Sequence, residues 1–580
     1  NSYPSKVDAC ANIHNDHISR KLSFKYEDVK ACYETFPFDK DNATRTIETL
    51  KSIFANFYSF LDQARDPPTK GFTYRSINVL SELDSLLKNN YTTDIQFMAF
   101  SFDQQFSMYS IVKHNGTQQI KVFNDSIDSK NIDCLVTHID DESAMDVIIK
   151  YANDSIRTSR DLGVRFNNAL ASLTLQGGKI SLSQQFTSRI LLPKNPTISY
   201  TLDCDGKINK ITRGWKITAR NDSIFNNFTD STSYWNNICI NQPLQASSGL
   251  SYESKRELDE YEPTLEEGKL IIDAYIIRFY TLRDFGVAVI STESIDDKYA
   301  SNNDLLIDLL STINQGFQSF ANMGIKKVVL DLTNNGGGAA FIAHYITQLL
   351  FRDIRNFPFD VKITEAAKLV IEQSTAKNIS SEFDINGSYI SEKTNTSFTN
   401  VSDFIGNNYY IRGGLKIRYS EKGFNSDEQI ISEFLGNISK PLPWTAENLI
   451  ILTNGFCGSA CAHITQRLAE VNVKTVAVGG LSNKPLSFAC FAGGFVVTSD
   501  TFFQYLKNLS LLNNDLMPKQ FPLATTISFT VNEAYSIKNP DEVLEFSFRP
   551  SNYKLYYDEK SIRDPSKLWI QAAALIENKP

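Results

Sequence analysis

Residues 329–341 read VLDLTNNGGGAAF, and residues 451–464 read ILTNGFCGSACAHI. Each starts as a short apolar run, breaks at asparagine and glycine, and resumes in residues that favour helix. Strand, turn and helix in that order, repeated along a chain, is the pattern of a parallel sheet with helices on its faces. Residues 476–486, VAVGGLSNKPL, add a third strand and glycine turn. Working outward, the spacing predicts a buried strand at 286–290. A helix follows whose apolar face carries Leu305, Leu306, Leu309, Leu310, Ile313, Phe317 and Phe320, and which Gly324 ends. Further strands are predicted at 328–332, 449–452 and 474–478, and helices at 339–351 and 459–470.

At 580 residues the chain exceeds the roughly 250 to 300 that one hydrophobic core organises, so two or three domains are expected. The α/β unit occupies 269–580, interrupted near 372–413 by a stretch rich in Asn, Ser and Thr that reads as a glycosylated insertion. Residues 1–94 read as a helical region, with Phe54, Phe57, Tyr58 and Leu61 at three- and four-residue steps and Pro67 and Pro68 ending the run. In 95–268 the period shifts towards two, in segments such as 119–123 and 197–202, with a helix-like interruption at 144–152. A mixed α/β middle domain is expected there, and the fold class is α/β and multidomain.

With 58 Lys and Arg against 66 Asp and Glu the formal charge is −8, which gives nucleic acid no electrostatic reason to bind. No apolar run approaches the ~20 residues that a transmembrane helix needs. The first residue is Asn and not Met, which suggests a chain whose targeting segment has been removed. Asn-x-Ser/Thr acceptors stand at Asn42, Asn90, Asn115, Asn124, Asn153, Asn221, Asn227, Asn378, Asn386, Asn395, Asn400, Asn437 and Asn508, which fits a secreted, extracellular surface. Eight cysteines, Cys10, Cys32, Cys134, Cys204, Cys239, Cys457, Cys461 and Cys490, agree with an oxidising compartment. Cys457 and Cys461 could be paired metal ligands, but no second Cys/His pair lies at zinc-site spacing, so the cysteines read as disulfides of open pairing.

Ser459 falls where a strand gives way to a helix, at the carboxyl edge of the sheet, where open α/β sheets bind their ligands. A serine at such a place commonly caps its helix. The three glycines at 336–338 leave backbone N–H groups able to stabilise a developing oxyanion, with Gly336, Gly337 and the Ala460 amide as the expected donors. The same glycines could also make a tight turn with no chemical role. They match neither GxGxxG nor GxxxxGK[ST], which argues against a phosphate loop.

These segments, together with PFDKDNATRTIETLKSIF at 37–54, GVRFNNALA at 163–171 and FRPSNYKLYYDEKSIRDPSKLW at 548–569, resemble the tail-specific (carboxyl-terminal processing) protease superfamily, nearest to its secreted fungal branch. The resemblance implies a ClpP/crotonase-like catalytic domain of ββα repeats and is compatible with a PDZ-like middle domain. It implies a serine peptidase acting on a peptide or protein substrate, with Ser459 as nucleophile, an oxyanion hole at Gly336, Gly337 and Ala460, and no metal or organic cofactor. Processing proteases pair the serine with a lysine after the next strand, and Lys484, 25 positions after Ser459, stands there. A partly desolvated amine at that edge could take the serine proton. Secreted fungal relatives often lack this lysine, so Lys484 also reads as an ordinary exposed one. His463, four positions after Ser459, is an alternative contact, and His344 reads as structural. Relatives carry an aspartate and histidine close together before the sheet-rich middle region, but this chain has no histidine between His17 and His114. No role is carried over from that segment. Two rival readings share the fold: an inactive member that binds a peptide or apolar ligand, and an esterase using the same serine.

Overall fold

In the computed structural model, seven strands hydrogen-bond in chain order into one sheet. They are β1 (Lys269–Ala274), β2 (Ile277–Leu282), β3 (Phe285–Ile290), β4 (Lys327–Asp331), β5 (Leu449–Thr453), β6 (Lys474–Val478) and β7 (Tyr553–Leu555). The first three pair antiparallel, and β3 through β7 run parallel. The structure describes residues 8–577 except 20, 22, 37–38, 67–75, 89–98, 177–178, 221, 241–255, 258–264, 380, 387–388, 439, 491–492 and 495.

The period of two along each strand sends alternate residues to opposite faces. Ala288, Ile290, Val328, Leu330, Leu449 and Ile451 pack under helices α1 (Asn303–Asn322), α2 (Ala340–Leu350) and α3 (Ala460–Glu470). Val287, Val289, Val329, Ile450, Leu452 and Val476 pack on the other face against α4 (Pro565–Ala574). There Trp569 is fully buried and its indole N–H donates to Asp331 Oδ2 at 2.6 Å. Both faces are covered, and β3 and β5 are buried throughout.

The strands and helices expected in this unit lie within a residue or two of their expected places, and Gly324, at φ +73, follows the Met323 end of α1. The apolar face of α1 starts later than expected: Leu309, Leu310, Ile313, Phe317 and Phe320 are buried, while Leu305 is 39% exposed.

The middle region forms an antiparallel sheet in the order Lys207–Gly214, Thr197–Cys204, Leu135–Ile139, Gln118–Asp125, Phe106–Val112, backed by helices Ala144–Asp154 and Leu162–Ala169. The N-terminal region is helical, but its helices belong to two cores. Cys10, Ile13, Val29 and Cys32 pack with Phe100, Val122 and Tyr200 of the middle sheet. Ile53 and Phe57 pack instead with Val370, Phe383, Phe502 and Phe529 of the C-terminal half. Helix Lys40–Asn56 stops before Phe57, and a short helix Leu61–Arg65 follows, so the apolar run from Phe54 to Leu61 spans a break. Pro67 and Pro68 lie outside the described residues.

The polar stretch at 372–413 is built into the fold, because it carries the end of helix Glu365–Lys377, helix Val401–Ile405 and a hairpin with strands Asn408–Arg412 and Leu415–Tyr419. Its Phe383, Ile385, Tyr389 and Phe404 are buried with Phe502 and Leu506. Disulfides join Cys10 to Cys32, Cys134 to Cys204 and Cys457 to Cys461, so the last pair is a covalent link and not a set of metal ligands. Among the described residues no helix is long and apolar enough to cross a membrane.

Gly316 sits on α1 directly over Phe279, where an added Cβ would stand 2.2 to 2.4 Å from the ring carbons. Alanine gains up to about 1 kcal/mol of helix propensity, but overpacking of this kind costs about 1–3 kcal/mol. Gly316→Ala is therefore expected to lower the denaturation midpoint. An unchanged or raised midpoint in chemical denaturation would contradict this packing.

Candidate active site

Parallel neighbours β4 and β5 end side by side, so the turns that follow them meet. After β5, the Gly455 N–H donates to Thr453 Oγ1 (3.0 Å) and the Phe456 N–H to Asn454 Oδ1 (3.1 Å), folding the chain into an elbow before α3. The Cys457–Cys461 disulfide spans the elbow, with Ser459 between its ends. Ser459 has φ +50 and ψ −124. Such a backbone in a non-glycine residue costs of order 1–3 kcal/mol and persists only where its surroundings impose it. The serine side chain does not cap α3 and makes no hydrogen bond to a described residue, although the hydroxyl stands at the N-cap position. The capping role that competes with a chemical one is thus unoccupied.

After β4, the Asn335 side chain organises the glycine turn. Its Oδ1 accepts the Gly337 N–H (2.8 Å), and its Nδ2 donates to the Ile290 carbonyl (3.0 Å) and to Glu293 Oε1 (2.9 Å). Its backbone carbonyl accepts the Gly458 N–H (3.1 Å), which ties the glycine turn to the residue before Ser459. A Cβ on Gly337 would lie 2.6 Å from the Gly458 carbonyl oxygen, 2.7 Å from Ser459 Cβ and 3.0 Å from the Ala460 nitrogen. The glycine turn and the serine therefore touch.

The middle domain supplies the outer supports. Asn167 Nδ2 donates to the carbonyls of Asn454 (2.7 Å) and Val478 (2.9 Å), while its Oδ1 accepts the Gly480 N–H (2.7 Å). Asn334 Nδ2 donates to Ser172 Oγ (2.7 Å) and the Leu173 carbonyl (3.1 Å), and Asn454 Nδ2 donates to Asn334 Oδ1. Sequence reasoning did not single out Asn167, Asn335, Asn454 or Glu293. The only signals were the Asn-Asn pair in GVRFNNALA and the asparagines that open both turns.

The geometry bears on two of the expected roles. The Gly337 N–H is directed at Asn335 Oδ1, so the turn amides left without a described hydrogen-bond partner are those of Gly336 and Gly338, beside the Ala460 N–H at the start of α3. Gly337 instead provides the close approach. Lys484 is exposed and makes no hydrogen bond to Ser459 among the described residues; its carbonyl accepts from Lys554 Nζ at 2.7 Å. The desolvation expected of Lys484 falls on Lys554, whose amine burial pushes down to about 8.

The two histidines also find their places. His463 lies one turn along α3 from Ser459, with its ring edge-on to Phe357 at 5.8 Å. His344 is buried on α2, its Nδ1 2.8 Å from Asp427 Oδ2, which joins α2 to helix Asp427–Ile438. Glu293 is fully buried, and burial pushes its carboxyl up to about 8.

The chain matches structures of mature CPAF, free (TM-score 0.53, 14% identity, 93% of this chain and 97% of that one) and complexed with lactacystin (TM-score 0.52, 13% identity, 93% and 98%). The photosystem II D1 C-terminal processing protease also matches, over 89% of this chain and 94% of its own at 10% identity, but its TM-score of 0.28 is too low to bear on the argument. No family model and no curated protein matches the sequence. The structural neighbours include proteases, and at these identities what the chain shares with mature CPAF is its fold.

Gly337→Ala would drive a methyl group into the serine elbow. Labelling of Ser459 by a fluorophosphonate, which traps nucleophilic serines, is expected to slow roughly 100-fold, as misplacement of a reacting group by about 1 Å does. Circular dichroism should stay as in the parent chain. Labelling at the parent rate would mean that the two turns are not in contact.

Proposed function

We propose that the protein is a serine-type peptidase that cleaves peptide bonds through an acyl-enzyme on Ser459. The observation that carries this reading is the Ser459 backbone at φ +50, in a residue whose hydroxyl does not cap its helix and whose Cβ stands against the glycine turn beside the Ala460 amide. Strain at a small nucleophile beside unbonded N–H groups is what acyl transfer uses. In this reading Ser459 Oγ attacks the scissile carbonyl, and the oxyanion is held by the Ala460 N–H with that of Gly336 or Gly338. The leaving amine takes a proton, and water then releases the acyl group. The ClpP/crotonase-like description of the catalytic unit and the PDZ-like one of the middle domain belong to the same reading.

Lys484 is the proposed base, and its exposure makes the role directly testable. If it takes the serine proton, Lys484→Ala should cost about 10²–10⁴ in rate. An unchanged rate would remove it from the mechanism.

We also propose that the protein is an extracellular glycoprotein of the secreted fungal branch. Of the acceptor asparagines, Asn115, Asn153, Asn227, Asn378, Asn386, Asn395, Asn400, Asn437 and Asn508 are exposed, and Asn42 and Asn124 are half-buried. Asn90 and Asn221 lie outside the described residues. The three disulfides agree with an oxidising compartment.

A fluorophosphonate is expected to label the native chain and to fail on Ser459→Ala. Absence of labelling on the folded native chain would overturn the hydrolase reading and leave a ligand-binding protein. Turnover of esters but not of peptides would redirect it to an esterase. Enzymatic removal of N-glycans from protein secreted by a eukaryotic host should lower its mass, and an unchanged mass would refute the glycoprotein assignment.

A further inference from the structure

Glu293 has no part in the chemistry above, yet every hydrogen-bonding group near it leads to the serine. It lies just past β3, is 0% exposed, and its Oε2 has no hydrogen-bond partner among the described residues. Its backbone N–H donates to the Gly337 carbonyl (3.3 Å), and its carbonyl accepts the Ala339 N–H (3.0 Å). Thr292 Oγ1 donates to the same Gly337 carbonyl at 2.9 Å. Gly338 passes so close that a Cβ there would fall 2.1 Å from the Glu293 carbonyl carbon. Through Oε1 the carboxyl accepts from Asn335 Nδ2, and Asn335 in turn receives the N–H groups of both Gly337 and Gly458.

We propose that Glu293 is a positioning residue of this site, whose buried carboxyl fixes Asn335 so that the glycine turn and the Ser459 elbow meet in reactive register. The proposal rests on the reading of Ser459 as nucleophile, but its structural half can be measured without that reading.

A chain that merely needed a filled space at 293 would use an apolar residue, since a buried carboxyl with one oxygen unpartnered is costly. What only a polar side chain provides here is an acceptor for Asn335 Nδ2. Without it Nδ2 keeps only the Ile290 carbonyl, and the amide that holds the Gly337 N–H loses one of its two anchors.

Burial is the main cause of the rise in the Glu293 carboxyl to about 8, and hydrogen bonds from Asn335 and from its own backbone oppose it. The group is therefore the neutral acid at neutral pH. Its folded-state value lies above the unfolded one, so the stability its protonation contributes is complete below the ordinary carboxylate range and is lost as pH rises through about 8, where the turn comes to hold a buried charge with no opposite charge to pair it among the described residues.

The test is hydrogen–deuterium exchange, read as protection factors on the full chain, for the native protein, Glu293→Gln and Glu293→Ala at about pH 6 and about pH 9, either side of the titration. Fluorophosphonate labelling is run in parallel with Ser459→Ala as the blank. Glu293→Ala should lose protection in the peptides covering 334–340 and 455–461 while those covering β3 and β6 keep theirs, and its labelling should fall roughly 100-fold. The native chain should lose protection in the same two segments between the lower and the higher pH. Glu293→Gln, an acceptor that cannot ionise, should keep it at both.

Unchanged protection at 334–340 in Glu293→Ala would overturn the proposal whatever the labelling does. If that variant fails to fold, identical pH behaviour of the native chain and Glu293→Gln would overturn it instead. Protection changes as expected with no labelling of any chain would leave the positioning role standing and refute the peptidase reading.

Discussion

The site depends on a missing side chain. Two parallel strands of one sheet deliver their turns to the same edge, but the turns can touch only because residue 337 has no Cβ, with the Gly458 oxygen and Ser459 Cβ each under 3 Å from where one would be. Contact at that range lets the Gly458 N–H reach the Asn335 carbonyl. The serine elbow is thereby registered to the glycine turn by a main-chain hydrogen bond as well as by packing. Once that register is set, the start of α3 presents the Ala460 amide beside Ser459 with no further adjustment.

Holding a serine at φ +50 works against the elbow by about 1–3 kcal/mol. The Cys457–Cys461 disulfide closes a loop only 4 residues apart in sequence, so it removes little chain entropy compared with a long-range link. Its value is local: it restricts the residues on either side of the strained one, and both its cysteines are fully buried. Strain, disulfide and glycine contact bear on one residue, which fits a nucleophile better than a helix cap.

Much of the fold is legible from periodicity, because β3, β4, β5 and β6 are short apolar runs buried on both faces and the helices between them carry one apolar stripe each. The serine and the glycines are legible for a related reason, since turns that break strong patterns stand out. The rest of the site is not. Asn167, Asn335, Asn454 and Glu293 are buried polar residues whose meaning lies in partners 42 to 287 positions away, and no local period marks them. The break between Asn56 and Leu61 is hidden because Phe57, just past the helix end, stays in the same core as Ile53. Lys484 stands at the expected spacing, yet spacing alone could not tell which lysine of that edge the fold would bury.

The change in periodicity near residue 269 marks a change of architecture but not an energetic boundary. Asn334 and Asn454 are almost fully buried at the rim of the seven-stranded sheet, and Ser172, Leu173 and Asn167 of the middle region provide hydrogen-bond partners there. Removing those partners would leave buried donors and acceptors unmet, at about 1–3 kcal/mol each. The Gly480 amide depends on Asn167 in the same way. The N-terminal helices add to this, with one pair in the middle-domain core and the next in the core of the C-terminal half. A seven-stranded sheet cut free at residue 269 would lose the side chains that hold its glycine turn and serine elbow, so the site is a property of the whole chain.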